Sequence, residues 1–324
     1  MFKKFSSGLL IIILIILLLV YFVVKHFSSG DRTFKDKILA FDPKAVTEIL
    51  INDPTTKNEV DLKLDGKSWK VYNNGKTFNA DSNAIKNILK QLSDLQTKQF
   101  AGKGKDAWAK YQVSDTSSTA IKVKLMAQSD KLAELYIGKF SYNQPKSKDQ
   151  NPMQQQQKAD VNTYVRSSGD KEVYTVDGFL RMNFNRDVNS YRNKMLVNVS
   201  PKEITRVVYN NPDGKMTLEK QGIKWTVNGI LADSVKTARY LSTLGRLSNT
   251  NFIDMDMSGS QPAYTVNIEG NNFTPVQVKV FPVADTNINF VLNSTQNADA
   301  YFNGKKSDLF KKVLIKEQDL LPAK

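Results

Sequence analysis

A stretch of about sixty residues is written twice in this chain, and that repeat limits the folds open to it. "FDPKAVTEILINDP" (Phe41–Pro54) lies over "VSPKEITRVVYNNP" (Val199–Pro212) at a constant offset of 158. Pro43, Lys44, Thr47, Asn52 and Pro54 recur as Pro201, Lys202, Thr205, Asn210 and Pro212. After a two-residue deletion, Leu62, Gly66, Trp69 and Val71 lie over Leu218, Gly222, Trp225 and Val227. After four more, Ala80-Asp81-Ser82 reaches Ala232-Asp233-Ser234, and Leu89, Leu92, Leu95 and Phe100 reach Leu241, Leu244, Leu247 and Phe252. A chain of 324 residues has room for two units of ordinary size. We therefore expect tandem copies over residues 31–186 and 187–324, behind a separate segment, residues 1–30.

Each copy reads as strands and then a helix. Val46–Ile51 and Glu59–Leu64 are short β-type runs, Asp65-Gly66 is a hairpin signal, and Lys67–Tyr72 is the next strand. Asp81 or Ser82 caps a helix whose Ile85, Ile88, Leu89, Leu92 and Leu95 share one face. The second copy places Ala238, Leu241, Leu244 and Leu247 in the same way. More strands follow at Ile121–Leu125, Leu132–Ile137, Thr163–Arg166 and Glu172–Val176, then at Tyr264–Ile268, Val276–Phe281, Ile288–Leu292 and Ala300–Phe302. Short helices close the units near Phe179–Phe184 and Leu309–Leu314. The expected class is α+β, each unit a mostly antiparallel sheet with one long amphipathic helix and a short terminal helix. Trp69 and Val71 are two apart on a strand and share a face, which places the repeated tryptophan in the interior. Ser141–Asp160 is polar and Gln-rich and reads as a mobile loop, with a partner-binding segment as the alternative.

Leu9–Val24 contains no charged residue. Sixteen helical residues span about 24 Å, and including Gly8 while Lys25 and His26 snorkel brings this to about a bilayer core. No small-x-small cleavage site follows, so an uncleaved signal anchor is expected rather than a signal peptide or a buried core helix. Lysines lie on both sides of the span, which leaves the positive-inside rule ambiguous. The short leading tail favours an N-terminus inside and the bulk of the chain outside the cytoplasmic membrane, in a single pass.

The formal charge is +14, of which the first thirty residues hold +3 and the two units +7 and +4. That spread argues against nucleic acid, which selects a concentrated basic element with interleaved aromatics. There is no cysteine, and the one histidine is His26 at the membrane edge. Thiolate chemistry, Ser-His-Asp triads and His or Cys zinc sites are thereby excluded from the body. Asp81 and Asp233, the recurrent acids, stand where helix caps belong. "DMDMSG" (Asp254–Gly259) matches the start of a calcium loop, but Thr265 stands where its closing Glu should be. "GKGK" (Gly102–Lys105) lacks phosphate-loop spacing and follows the helix rather than a strand. Trp108 and Tyr111 share one side of a helical turn and read as packing. No catalytic, cofactor-binding or metal residue is expected, and no cofactor.

The strand with Asp65-Gly66 and Trp69, the Ala80-Asp81 helix start and "WAKYQV" (Trp108–Val113) together resemble a bacterial family of unknown function, DUF4340. The resemblance covers most of residues 32–320. The second unit departs from it, lacking the W-x-x-Y segment and replacing Asp-Gly with Gln221-Gly222. Similar proteins are encoded beside components of gliding-type or uncharacterised ABC transporters, which implies envelope or transporter proteins as partners. The expected function is a membrane-tethered, non-enzymatic scaffold in the bacterial envelope. The alternatives are a module for an anionic envelope polymer or lipid, and a hydrolase that works without histidine.

Overall fold

The computed structural model describes residues 14–18, 20–21, 35–73, 75–143, 160–255, 257 and 259–322. Nine strands form the first sheet: β1 (Glu48–Asp53), β2 (Asn58–Asp65), β3 (Ser68–Asn73), β4 (Lys76–Asn79), β5 (Gln99–Lys103), β6 (Ile121–Ala127), β7 (Asp130–Asn143), β8 (Asp160–Ser167) and β9 (Glu172–Asp177). Their order is β4-β3-β2-β1-β6-β7-β8-β9-β5, antiparallel throughout. A short pair follows in sequence, β10 (Met195–Asn198) with β15 (Arg246–Ser248). The second large sheet uses β11 (Ile204–Asn211), β12 (Gly214–Gln221), β13 (Lys224–Val227), β14 (Ile230–Leu231), β16 (Tyr264–Gly270), β17 (Val276–Pro282), β18 (Phe290–Ser294) and β19 (Asn297–Asn303). Its order, β14-β13-β12-β11-β16-β17-β18-β19, repeats the first sheet strand for strand up to β9. Beside the helical residues 14–18 and 20–21, the described α-helices are α1 (Ser82–Ser93), α2 (Lys105–Tyr111), α3 (Leu180–Phe184), α4 (Ser234–Leu244), α5 (Leu309–Val313) and α6 (Glu317–Leu320).

The α+β expectation, with one long amphipathic helix per unit, is overturned. The protein is mostly antiparallel β-sheet, 45% strand against 21% helix, and its helices are small. α1 has only 12 residues and α4 only 11. Edge pairing explains the difference. β4, β5 and β14 lie in stretches without clear alternation and become strands because a neighbour offers them a ladder. β7 runs on to Asn143 and β8 starts at Asp160, so both ends of the expected loop Ser141–Asp160 are strand. The rest of that loop lies outside the described residues. No helix among the described residues is long and apolar enough to cross a membrane. Most of the stretch Leu9–Val24, on which that expectation rested, lies outside them too.

Each sheet buries one face against its own helix. Ile49, Leu62 and Val71 meet Ile85, Ile88, Leu89 and Leu92 of α1 in the first core. Val207, Leu218 and Val227 meet Tyr240, Leu241 and Leu244 of α4 in the second. The helical face of α4 is set one residue away from the expected one. Ala238 is exposed, while Thr237 and Tyr240 are buried. The Tyr240 hydroxyl is accommodated there because it donates to the Val313 carbonyl at 2.7 Å and accepts from Tyr209 at 2.8 Å. Trp69 and Trp225 are half-buried against these two cores. Gly66 and Gly222 turn the hairpins before them with φ of +60° and +62°, a region costly for any side chain.

The repeat reaches further in space than in sequence. Lys37 bridges Gln96 as Met195 pairs with Ser248. The Asp81 N–H donates to the Tyr191 carbonyl at 2.8 Å, and Asp233 N–H does the same to Leu320 at 2.8 Å. These two aspartates are helix caps. Asp81 Oδ1 accepts from the Asn83 and Ala84 N–H groups at 2.9 and 3.2 Å. Asp233 Oδ1 accepts from Val235 and Lys236, both at 2.9 Å. Asp81→Ala is expected to cost about 1 kcal/mol in denaturant unfolding, and Asp81→Asn much less. The Lys236 N–H first, then that of Val235, holds the Asp233 carboxyl below its usual value against the opposing effect of burial. Its help to the fold is therefore complete above the ordinary carboxylate range and fades as pH falls through the lowered value. Asp233→Asn should flatten that part of a stability–pH curve.

Candidate functional site

The two sheets meet edge to edge, and that junction gathers the least expected side chains. The chain leaving the first unit passes back along β4: Ala80 bridges Arg192, and the Asn193 N–H donates to the Asn79 carbonyl at 2.7 Å. Arg192 is thereby placed between Phe78 of β4 and Phe252, which bridges Phe302 on β19. Its guanidinium lies 3.6 Å from one ring centroid and 4.0 Å from the other, a double cation–π contact. Nη1 donates to Asp254 Oδ1 at 2.9 Å and to Asn189 Oδ1 at 3.0 Å. Nε and Nη2 are buried and find no hydrogen-bond partner among the described residues. Burial lowers the affinity of this guanidinium for its proton, and the Asp254 hydrogen bond and charge oppose that. Around this centre Lys76 Nζ donates to the Asp254 carbonyl at 3.2 Å, and Lys70 Nζ lies 3.7 Å from Asp299.

Two polar clefts, of about 340 and 330 Å³, open on either side of the Asp81 cap. Amide side chains dominate both, among them Asn83, Asn193, Asn198 and Gln296 in one and Asn87 and Gln91 in the other. Arg186, Lys194 and Tyr191 add to the second. Burial pushes the Tyr191 hydroxyl up to about 12. Lys194 Nζ donates to the Ser190 carbonyl at 3.0 Å, and Ser190 Oγ donates to Asp187 Oδ1 at 2.9 Å. These contacts fasten the linker. The carboxylate beside Ser190 is the cap of its own turn, since Asp187 Oδ1 also accepts the Ser190 N–H at 3.0 Å. Such clefts can hydrogen-bond a polar chain laid across them, and neither is lined by a histidine or a cysteine.

The other sequence candidates fall elsewhere. Asp254 of "DMDMSG" faces Arg192, and Asp256 lies outside the described residues. Among the described residues, no group of three or more His, Cys, Asp or Glu could hold a metal ion. "GKGK" does follow a strand, contrary to expectation: Gly102 and Lys103 end β5, and Gly104 turns into α2 with φ of +82°. Gly102 is there for contact, since a Cβ would come 2.9 Å from that of Ala107. Trp108 and Tyr111 pack α2 on the far face of the first sheet. Tyr111 stacks on Tyr164 with centroids 4.1 Å apart, and Trp108 Nε1 donates to the Lys171 carbonyl at 2.9 Å.

Beneath Trp108 sits a second buried arginine that sequence reading passed over. Arg166 lies 4.1 Å from the Trp108 ring and 4.5 Å from that of Tyr136. Nε donates to the Val113 carbonyl at 2.9 Å, Nη1 to that of Asp170 at 3.2 Å, and Nη2 to Asp115 Oδ1 at 2.5 Å. The only sequence signal for it is an arginine at an inward position of β8, and alternation alone cannot tell such a residue from a solvated one.

The profile of a family described as Domain of unknown function (DUF4340) matches residues 69–145 and 155–267. No curated protein and no solved structure matches the chain.

Proposed function

The chain belongs to the DUF4340 family, a domain of unknown function, and from that premise we propose a membrane-tethered, non-enzymatic binding protein of the bacterial envelope. Its body would stand outside the cytoplasmic membrane and hold a protein partner, with an ABC-type transport component as the first candidate. The observation that carries the binding role is the state of the junction. Its charged groups are engaged in the Phe78–Arg192–Phe252 stack, the Asp81 cap and the linker contacts, and Gln296 is tied to Asn198, which leaves the amides of Asn83, Asn87 and Gln91 along the clefts. A frame built in this way suits holding a polypeptide better than transforming a substrate. The tether is supported by Leu14, Ile15, Ile16, Leu17, Leu18, Val20 and Tyr21, which are helical and exposed. A run of exposed apolar helix is what a bilayer covers.

Crosslinking in intact membranes followed by mass spectrometry tests the reading. Recovery of a transport component with the chain is the expected result, and the chain should stay in the membrane fraction through alkaline carbonate. Recovery of nothing but the chain itself, or its release by carbonate, overturns it.

A further inference from the structure

We propose that this protein associates head to tail with further copies of itself, repeating between molecules the junction that joins its two units. The inference is independent of the scaffold reading. It starts from the repeat, which makes each half of the junction surface occur twice in one chain. The edge that the first unit offers is β4, and its counterpart in the second unit is β14, with Ile230 and Leu231 standing where Phe78 and Asn79 stand. Phe78 is 8% exposed, packed on the first core and capped by the Arg192 guanidinium, whereas Ile230 is 53% and Leu231 50% exposed. The edge that the second unit offers carries Phe252, and its counterpart in the first unit is Phe100 on β5. The equivalence holds in space as well: Phe252 bridges Phe302 as Phe100 pairs with Tyr174, with ring centroids 5.1 and 6.1 Å apart. Phe100 is 50% exposed.

One molecule therefore shows an unused β4-type edge at one end and an unused Phe252-type edge at the other. Both are terminal strands of their sheets, with unpaired backbone groups and exposed apolar side chains. The side chain that links the edges also has a counterpart. Asp81 N–H bonds to Tyr191 as Asp233 N–H bonds to Leu320, so the next residue, Leu321, takes the place of Arg192. At the open end an apolar side chain thus replaces the guanidinium. Val235 in the first turn of α4 adds a further exposed apolar group beside Ile230 and Leu231. A second copy presenting Phe100 would cover this surface, and the charges beside it are already engaged: Lys98 with Asp160 and Asp177, and Lys236 with the Leu321 carbonyl. The contact is heterologous, so it propagates into an open row rather than closing as a dimer.

The natural absence of cysteine makes the test clean. Ile230→Cys and Gln99→Cys are made singly in the full-length chain, and a short bismaleimide is added. Crosslinked dimers should form when the two variants are mixed and not from either alone, and the double variant should give a ladder. Leu231→Asp lies on the surface and spares the fold, and it should weaken concentration-dependent sedimentation by about tenfold or more. Dimers from Ile230→Cys alone would mean a two-fold pairing and overturn the proposal. So would the absence of crosslinks at about 100 µM, or sedimentation unaffected by Leu231→Asp.

Discussion

Arg192→Ala will speed hydrogen exchange at the Asp81 and Asn193 amides by about a hundredfold, while Arg192→Met will leave them within about threefold of the parent. The two amides report the junction directly, because Asp81 N–H bonds to Tyr191 and Asn193 N–H to Asn79. Alanine empties the space between Phe78 and Phe252, and a cavity of that kind costs about 3 kcal/mol, the energy equivalent of the stated factor. Methionine fills the same slot with polarizable atoms against two rings. It loses the ion pair to an Asp254 side chain that water reaches and the hydrogen bond to Asn189, and it removes two buried donors that have no partner. Exchanging a poorly satisfied buried charge for an apolar group of similar volume is close to neutral. If methionine proves as damaging as alanine, the charge rather than the packing joins the units. If neither substitution changes exchange, the two sheets are held elsewhere.

Arg166 should give the opposite answer with the same substitution. Arg166→Met is expected to destabilise the first unit by about 3 kcal/mol or more, and Arg166→Ala by up to about 5 kcal/mol. A thermal midpoint lowered by about 10 °C is the readout. Both arginines are 1% exposed, yet Arg166 satisfies the carbonyls of Val113 and Asp170 and the carboxylate of Asp115. Methionine leaves those two carbonyls without their donor, and unmet buried acceptors are expensive. The hydrogen bond from Arg166 is the main cause holding the Asp115 carboxyl below its usual value, with smaller help from Tyr136 and resistance from desolvation. Its contribution is complete above the unfolded carboxylate value and is lost as pH falls through the lowered one. The Asp115 side chain is 57% exposed, so solvent screens the pair and this pH-dependent part is small. Arg166→Met should remove the acid-side slope assigned to Asp115. Equal stability in parent and variant would show that the stack of Trp108 and Tyr136 is enough without the guanidinium.

How much of this was legible in advance follows from the range of each interaction. The caps at Asp81 and Asp233 were readable because a cap is made within three residues. The inner strands, such as β1 to β3 and β16 to β17, were readable because alternation and turn residues are local too. The face of α4 was misplaced because a count of leucines passes over Tyr240, whose hydroxyl is satisfied only by Tyr209 and Val313, distant in the chain. Neither buried arginine was legible. Arg192 lies in a linker and Arg166 in a strand, and what makes each a centre is the pair of rings that long-range packing delivers.

By itself, the sequence determined that one building unit occurs twice, where its hairpins turn, where its principal helices start, and that thiol and imidazole chemistry are missing from the body. Only the tertiary structure decided that β dominates, because edge strands take their conformation from a neighbour's open ladder rather than from their own residues. It also decided which edge of each copy is covered and which stays bare. Both edges carry an apolar residue at the same place in the repeat, Phe78 and Ile230, and local sequence does not say which of them the rest of the chain will cover.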